Sequence, residues 1–115
     1  MGPLMCLALM ITLEARGEPL AGQHMVGQVI LNRVESEEFP DTICEVIKQK
    51  NQFAPIVYTR PSPVAYLVAS DLYLRYKPND KVLWFYNPSK ANPNWARKLQ
   101  PAFRIGKHLF LRKKQ

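Results

Sequence analysis

The sequence predicts an α+β fold in which helices dominate and a small antiparallel sheet lies near the C-terminus. The long segments before residue 77 carry apolar side chains at helical spacing. β-Branched and aromatic residues cluster in the run VLWFY at residues 82–86, which is typical of a strand. The tail FRIGKHLFLRK has the pattern of a hairpin that turns near Gly106-Lys107. With 115 residues, the chain is expected to form one domain over residues 1–115.

The first predicted helix covers residues 4–13 and is apolar on every side, as a core helix is. Glu14 follows it, and its spacing from Leu7, Met10 and Ile11 places its side chain on the same apolar face. Because burial of an ionised carboxylate is unfavourable, a carboxyl in such surroundings tends to keep its proton. It can then act as a general acid. An ordinary ion pair with Arg16 or a distant lysine is the alternative.

The same N-terminal segment resembles the hydrophobic part of a short signal peptide. It lacks a basic region before it, and cleavage after Ala15 would remove Glu14. We therefore expect a buried helix and no export signal in this chain. No apolar run reaches the roughly 18 residues that a membrane span needs.

The second predicted helix covers residues 20–34. Gly17 is a natural stop for the first helix, and Pro19 suits the first position of the next one. Within this helix, polar side chains recur every four residues and are expected to face either a cleft or water: His24, Gln28 and Asn32.

Local start signals predict the remaining helices. Thr42-Ile43-Cys44-Glu45 is a capping box that opens a short helix over about 42–50. Ser62-Pro63 starts a helix that continues to Tyr76. Asn92-Pro93 is expected to cap a last helical turn through Ala96.

Charge and cysteine content limit which partners, disulfides and metal sites are expected. The formal charge of +7 favours an anionic partner such as nucleic acid, an acidic membrane face or the cell wall; a solvated basic surface without such a partner is the alternative. Cys6 and Cys44 are too few for a disulfide framework. Buried thiols are expected, and a single bridge remains open. With two histidines and no ligand cluster, we expect no metal site and no cofactor.

The stretch CLALMITLEARGEPLAGQHMVGQVILNRV resembles the opening of the SleB/CwlJ family of bacterial cell-wall hydrolases. The blocks FPDTICEVI, NQFAP, WFYNPSKANPNWA and RIGKHLF follow in the order of that family. The resemblance implies a lysozyme-like, transglycosylase-type fold. It also implies cleavage of peptidoglycan glycan strands, with Glu14 as the catalytic acid.

The resemblance further implies a lytic transglycosylase, in which one carboxyl performs two proton transfers. Glu14 would protonate the oxygen between MurNAc and GlcNAc and then accept the proton of the MurNAc 6-hydroxyl. A hydrolytic variant would need a base or nucleophile, and Glu18 or Asp71 could supply one. Glu18 is expected instead to cap the second helix or to pair with Arg16.

Five side chains are assigned to substrate binding in addition to Glu18. Gln52 and Phe53 match the Q-F block, Tyr86 and Asn87 match the F-Y-N-P block, and Asn32 belongs to the L-N-R block. An amide with a structural role at the helix end fits Asn32 as well.

Large aromatic side chains usually pack in the core, and this is expected of Trp84, Phe85 and Trp95. His108, in the predicted hairpin, is expected to be structural.

The expected partners are peptidoglycan glycan strands and anionic wall polymers that a basic surface attracts. Nucleic acid is not expected, and the chain should act as a monomer at the cell wall. Either a lysin that accumulates in the cytoplasm and is released through a holin, as in phages, or a catalytic piece of a longer exported protein fits these features. The alternative class is a non-catalytic basic module that binds wall glycan or nucleic acid.

Overall fold

The first helix runs through the centre of a helical layer, beside a three-stranded sheet. A computed structural model describes residues 1–49, 59–78 and 80–115. Its elements in chain order are α1 (Pro3–Ala15), α2 (Leu20–Val34), α3 (Ile43–Ile47), α4 (Pro63–Arg75), β1 (Trp84–Tyr86), a 3-10 helix (Asn94–Lys98), β2 (Leu99–Ile105) and β3 (His108–Lys113). None of the helices in these ranges is long and apolar enough to cross a membrane.

Helix α1 is the core helix that its composition predicts. Its residues from Cys6 to Thr12 are all buried, and it contacts α2, α3 and α4. Burial of each large aliphatic side chain contributes about 1.5–3 kcal/mol. The Thr12 hydroxyl donates to the Ala8 carbonyl at 2.8 Å and accepts the Ser62 amide hydrogen at 2.9 Å. The buried polar group is thereby satisfied, and the start of α4 is fixed to α1.

The turn between α1 and α2 contains Gly17 and Pro19, as predicted, and differs only in the position of the proline. Gly17 adopts a φ of 83°, the left-handed conformation that glycine tolerates without strain. Helix α2 spans the predicted residues, but Pro19 occupies its N-cap and not its first helical position.

A close approach between helices requires Gly27 in the middle of α2. A Cβ atom at this position would lie 2.5 Å from Leu72 Cδ1 on α4 and 2.9 Å from Ile11 Cδ1 on α1. The small residue therefore allows three helices to pack together.

The expectation of buried free thiols is wrong, because Cys6 and Cys44 form a disulfide. The bridge joins α1 to α3 across 38 residues of sequence. Helix α3 ends earlier than predicted, at Ile47. Its capping box is present: Thr42 Oγ1 accepts the Glu45 amide hydrogen at 3.2 Å and donates to Glu45 Oε1 at 2.8 Å.

The C-terminal sheet confirms the predicted antiparallel arrangement. The strand order is β1-β3-β2, with Trp84 opposite Leu111 and Ile105 opposite His108. A bulge interrupts the pairing of β2 with β3 between Pro101 and Phe103. The hairpin turns at Gly106, as predicted, with a φ of 56°.

Two local details near the sheet differ from their predictions. Strand β1 covers only residues 84–86 of the predicted 82–86. The helical turn that follows is a 3-10 helix whose N-cap is Pro93, without a side-chain hydrogen bond, so Asn92 does not cap it.

Candidate active site

Glu14 lies in the last turn of α1, partly buried, where the helix leaves the core. The neighbouring Ala15 is fully buried, and Arg16 is exposed. The charge of Glu14 acts on Arg33, a residue of the last turn of α2. The carboxyl therefore stands at the edge of the helical core with a cation from a second helix nearby.

Arg33 is almost completely buried, with 2% of its surface exposed. Its Nε donates to the Leu83 carbonyl at 2.8 Å, and its guanidinium lies 4.6 Å from the centre of the Phe39 ring. Burial lowers the pKa of Arg33 to about 10, and the charge of Glu14 opposes this shift. Arg33 therefore remains a cation at neutral pH, held by a hydrogen bond, an aromatic face and a nearby carboxylate.

This arrangement suits a carboxyl that changes its protonation state. In general, apolar surroundings favour the neutral form of a carboxyl, whereas a nearby cation favours its ionised form. Glu14 has a buried helix on one side and Arg33 within electrostatic range on the other. A group that donates a proton and later accepts one needs support for both forms.

Arg33 is not among the site residues predicted from the sequence, although its position in the sequence carries a signal. The residue follows Val26, Val29 and Ile30 on the apolar stripe of α2, where a charged side chain is unusual. A cation on a core-facing stripe needs a buried partner, and this indicates that a carboxylate or carbonyl should be sought elsewhere in the chain.

Glu18 has a different role from the ones predicted. Its Oε1 accepts the backbone amide hydrogen of Lys107 at 2.8 Å and lies 3.6 Å from His108 Nδ1. Helix α2 has no side-chain cap, so the expectation that Glu18 caps it is wrong. The predicted ion pair between Glu18 and Arg16 is likewise not among the contacts of the Glu18 carboxyl group. Glu18 holds the β2–β3 turn against the start of α2.

Gly106 makes this contact possible. A Cβ atom on it would lie 2.7 Å from Glu18 Oε1 and 2.9 Å from Pro19 Cδ. The hairpin turn can therefore approach α2 only through a glycine.

His108 is buried at this junction and packs its ring 5.1 Å from that of Phe85. Its Nδ1 has no hydrogen-bond partner among the described residues. Burial lowers the pKa of His108, and the charge of Glu18 partly opposes this. Burial is the larger effect, so the folded protein favours the neutral form of the His108 imidazole.

Of the polar stripe of α2, His24 is exposed to water, whereas Gln28 and Asn32 are buried and Asn32 contributes to the lining of a cavity of about 520 Å³. Asn32 Nδ2 donates to the Val82 carbonyl at 2.9 Å and to Asp80 Oδ1 at 3.0 Å. Asn32 Oδ1 accepts the Tyr76 hydroxyl at 2.7 Å and Gln28 Nε2 at 3.2 Å. The Asn32 amide is thus engaged within the protein, and it positions the segment before β1.

Of the residues assigned to substrate binding, Tyr86 and Asn87 lie at the end of β1. The Tyr86 ring is 5.7 Å from the ring of Trp95, whose surface is 42% exposed, so the prediction that Trp95 is a core residue is wrong. Asn87 Oδ1 accepts the Ser89 amide hydrogen at 2.9 Å and shapes a turn. Gln52 and Phe53 lie outside the described residues.

The family and the fold of this chain are also indicated by its similarity to known proteins. A family profile described as Cell Wall Hydrolase matches residues 17–111. The match begins after Glu14 and does not include that residue. Spore cortex-lytic enzymes of Bacillus cereus and Bacillus subtilis are 36% and 35% identical over 101 residues, which cover 84% of this chain. The chain spans 39% and 33% of the length of these relatives.

Two solved structures share the fold over nearly the whole chain. The catalytic domain of the germination-specific lytic transglycosylase SleB from Bacillus anthracis is similar with a TM-score of 0.86 and 32% identity, covering 96% of this chain and 93% of that domain. The catalytic domain of the Bacillus cereus SleB protein gives a TM-score of 0.85 at 32% identity, covering 96% and 89%. The helix-dominated, lysozyme-like fold is thereby confirmed.

Proposed function

Because this chain belongs to the Cell Wall Hydrolase family, we propose that it cleaves the bond between MurNAc and GlcNAc in peptidoglycan glycan strands as a lytic transglycosylase. The observation that carries the proposal is the similarity over 96% of the chain to a catalytic domain described as a lytic transglycosylase. Residues 1–115 would act as one catalytic domain, with Glu14 as general acid and then general base.

The reaction needs one carboxyl and no water. Protonated Glu14 donates its hydrogen to the glycosidic oxygen, the bond from that oxygen to MurNAc C1 breaks, and GlcNAc leaves as an alcohol. Ionised Glu14 then accepts the proton of the MurNAc 6-hydroxyl while O6 bonds to C1, which closes a 1,6-anhydro ring. The positive charge of Arg33 favours the ionised form of Glu14 between these two steps.

Aromatic and amide side chains would hold the sugar rings. Half-buried Tyr86 and exposed Trp95 are in edge-to-face contact and together offer an aromatic surface to a ligand. Gln52 and Phe53 remain assigned to substrate binding through their sequence block. The contacts of Glu18, Asn32 and Asn87 support structural roles in place of the substrate contacts that the sequence suggested.

The wall itself is the proposed place of action. The basic surface suits anionic wall polymers, since the chain carries a formal charge of +7. The disulfide between Cys6 and Cys44 supports an oxidising environment, because structural disulfides are rare in reducing cytosol.

The test uses purified peptidoglycan with the wild-type protein and Glu14→Gln, which keeps the size of the side chain and removes its acidity. Exposed Glu37→Gln is the matched control. We expect the wild type and the control to release soluble muropeptides with anhydro ends, and Glu14→Gln to lose about 10²–10⁴-fold in rate. Equal release by Glu14→Gln and the wild type would reject Glu14 as the acid. Release by neither would favour the binding-module interpretation, and reducing ends in place of anhydro ends would indicate hydrolysis.

A further inference from the structure

Polar contacts attach the sheet to α2 at two places, which lie at opposite ends of that helix. Near its C-terminal end, Asn32 Nδ2 and Arg33 Nε donate hydrogen bonds of 2.9 Å and 2.8 Å to the carbonyls of residues 82–83, just before β1. Just before its first residue, Glu18 Oε1 accepts the Lys107 amide hydrogen at 2.8 Å. Because α2 has 15 residues, it is roughly 22 Å long, and the two attachments are far apart.

Glu18 also binds the end of the helix that carries Glu14. Its amide hydrogen is donated to the Ala15 carbonyl at 3.0 Å, and its own carbonyl accepts a hydrogen of Gln23 Nε2 at 3.1 Å. Ala15 is the last residue of α1 and follows Glu14 directly. Two hydrogen bonds of one residue therefore connect the hairpin turn with the last turn of α1.

The hairpin turn lies at the same end of the sheet as the aromatic surface that is proposed to hold a sugar ring. Tyr86 is the last residue of β1 and is paired with Leu109, two residues after Lys107. The Tyr86 ring is in edge-to-face contact with that of Trp95. The side chain of Glu18 therefore holds the end of the sheet that carries these aromatic rings.

The turn is held against α2 by one polar and one apolar contact. Gly106 leaves room for the polar contact, since a Cβ atom on it would lie 2.7 Å from Glu18 Oε1. The apolar contact joins Ile105 to the start of α2, where a Cβ atom on Gly22 would lie 3.4 Å from Ile105 Cγ2. Because the apolar contact does not involve Glu18, a shorter side chain at residue 18 should leave the hairpin packed on α2 but let its turn shift.

We propose that Glu18 is a positioning residue, whose side chain fixes the distance between the aromatic surface of the sheet and the carboxyl of Glu14. The inference rests on the proposed function, in which Tyr86 and Trp95 hold a sugar ring while Glu14 transfers protons. Glu14 can do so only within hydrogen-bond reach of the glycosidic oxygen, and a displacement of about 1 Å can lower the rate about 10²-fold. The length and the acceptor oxygen of Glu18 are then what the reaction needs, and its charge is not.

Two substitutions of Glu18 separate length from charge. Glu18→Gln keeps the length and an acceptor oxygen without the charge, whereas Glu18→Asp keeps the charge on a side chain that is shorter by about 1.5 Å. The same two substitutions of exposed Glu37 are the matched controls. The measurement is kcat on soluble glycan strands per folded molecule, with the folded fraction taken from circular dichroism at the assay temperature.

We expect Glu18→Asp to lose about 10–100-fold in kcat, and Glu18→Gln and both controls to stay within about threefold of the wild type. Hydrogen exchange at the Lys107 amide, followed by NMR, should be faster in Glu18→Asp than in Glu18→Gln. A residue that served stability alone would leave kcat per folded molecule unchanged in both variants, which would overturn the proposal. A larger loss in Glu18→Gln than in Glu18→Asp would also overturn it, because the carboxylate would then take part in the chemistry.

The same contact can be disturbed from the hairpin. Gly106→Ala places a methyl group 2.7 Å from Glu18 Oε1 and 2.9 Å from Pro19 Cδ, so the turn must move away from α2. We expect a loss of kcat similar to that of Glu18→Asp, and a loss in the double variant that is smaller than the product of the two. Should Glu18→Asp fail to fold, Gly106→Ala decides, and unchanged kcat per folded molecule in it would overturn the proposal.

Failure of this inference differs from failure of the proposed function. If the wild type releases no muropeptides, the proposed function fails and the positioning role fails with it. If the wild type is active and both Glu18→Asp and Gly106→Ala equal it per folded molecule, only the positioning role of Glu18 fails.

Discussion

Glu18 and His108 meet where the hairpin touches the start of α2, with Glu18 Oε1 3.6 Å from His108 Nδ1. The same oxygen accepts the Lys107 amide hydrogen at 2.8 Å, so one carboxyl group binds the hairpin turn and lies beside the first residue of β3. Both side chains are largely shielded from water, with 11% of Glu18 and 9% of His108 exposed. This contact therefore joins the β2–β3 hairpin to the segment between α1 and α2, four residues after Glu14.

We expect stability to fall on acidification because of His108. Its pKa is lowered in the folded protein from the usual 6.5, chiefly by burial, so the unfolded chain binds a proton more readily. The stabilisation is fully present above about pH 6.5 and is lost as the pH falls through the lower folded pKa. Thermal unfolding followed by circular dichroism between about pH 7 and pH 5 measures this loss. In His108→Gln the dependence should be weaker, and an equal dependence in both proteins would refute the prediction.

Glu18→Gln should lower the pKa of His108 further. The substitution keeps an oxygen that can accept the Lys107 amide hydrogen but removes the charge that opposes the effect of burial. Titration of the imidazole signals by NMR measures the shift. Exposed Glu37→Gln serves as the control and should leave the titration unchanged. A rise in the pKa of His108 in Glu18→Gln would contradict this account.

Reduction of the disulfide should destabilise the protein by roughly 2–4 kcal/mol, because the bridge restricts the unfolded chain across 38 residues. Urea unfolding with and without a thiol reductant measures the difference. The double variant Cys6→Ala/Cys44→Ala should be no more sensitive to urea with the reductant than without it. If the wild type is equally stable in both conditions, the bridge contributes nothing.

Arg33 should matter to activity through its charge. Arg33→Lys and Arg33→Met both lose the planar group that stacks on Phe39, but only Arg33→Met removes the cation near Glu14. We expect both variants to be destabilised, and Arg33→Met more strongly, because it removes both the cation near the Glu14 carboxyl and the donor to the Leu83 carbonyl. Muropeptide release per folded molecule should then be about tenfold lower in Arg33→Met than in Arg33→Lys. Equal release by the two variants would show that the charge has no role in the reaction.

The sequence by itself determined the elements whose causes are local. The apolar composition of residues 4–13 predicts the core helix, and Gly17 predicts where it ends. The spacing of Val26, Val29 and Ile30 predicts the next helix. Each of these signals lies within a few residues of the structure that it specifies. The place of Glu14 at the end of a buried helix follows from the same short-range pattern.

Only the tertiary structure decided which distant groups meet. Glu18 binds an amide 89 residues away, Asn32 a carbonyl 50 residues away, and Cys6 a cysteine 38 residues away. Their spacing along the chain carries no information about these partners, because only the packing of the helices and the sheet brings them together. For the same reason the local pattern did not indicate that the charge of Glu14 acts on buried Arg33, 19 residues away on a second helix.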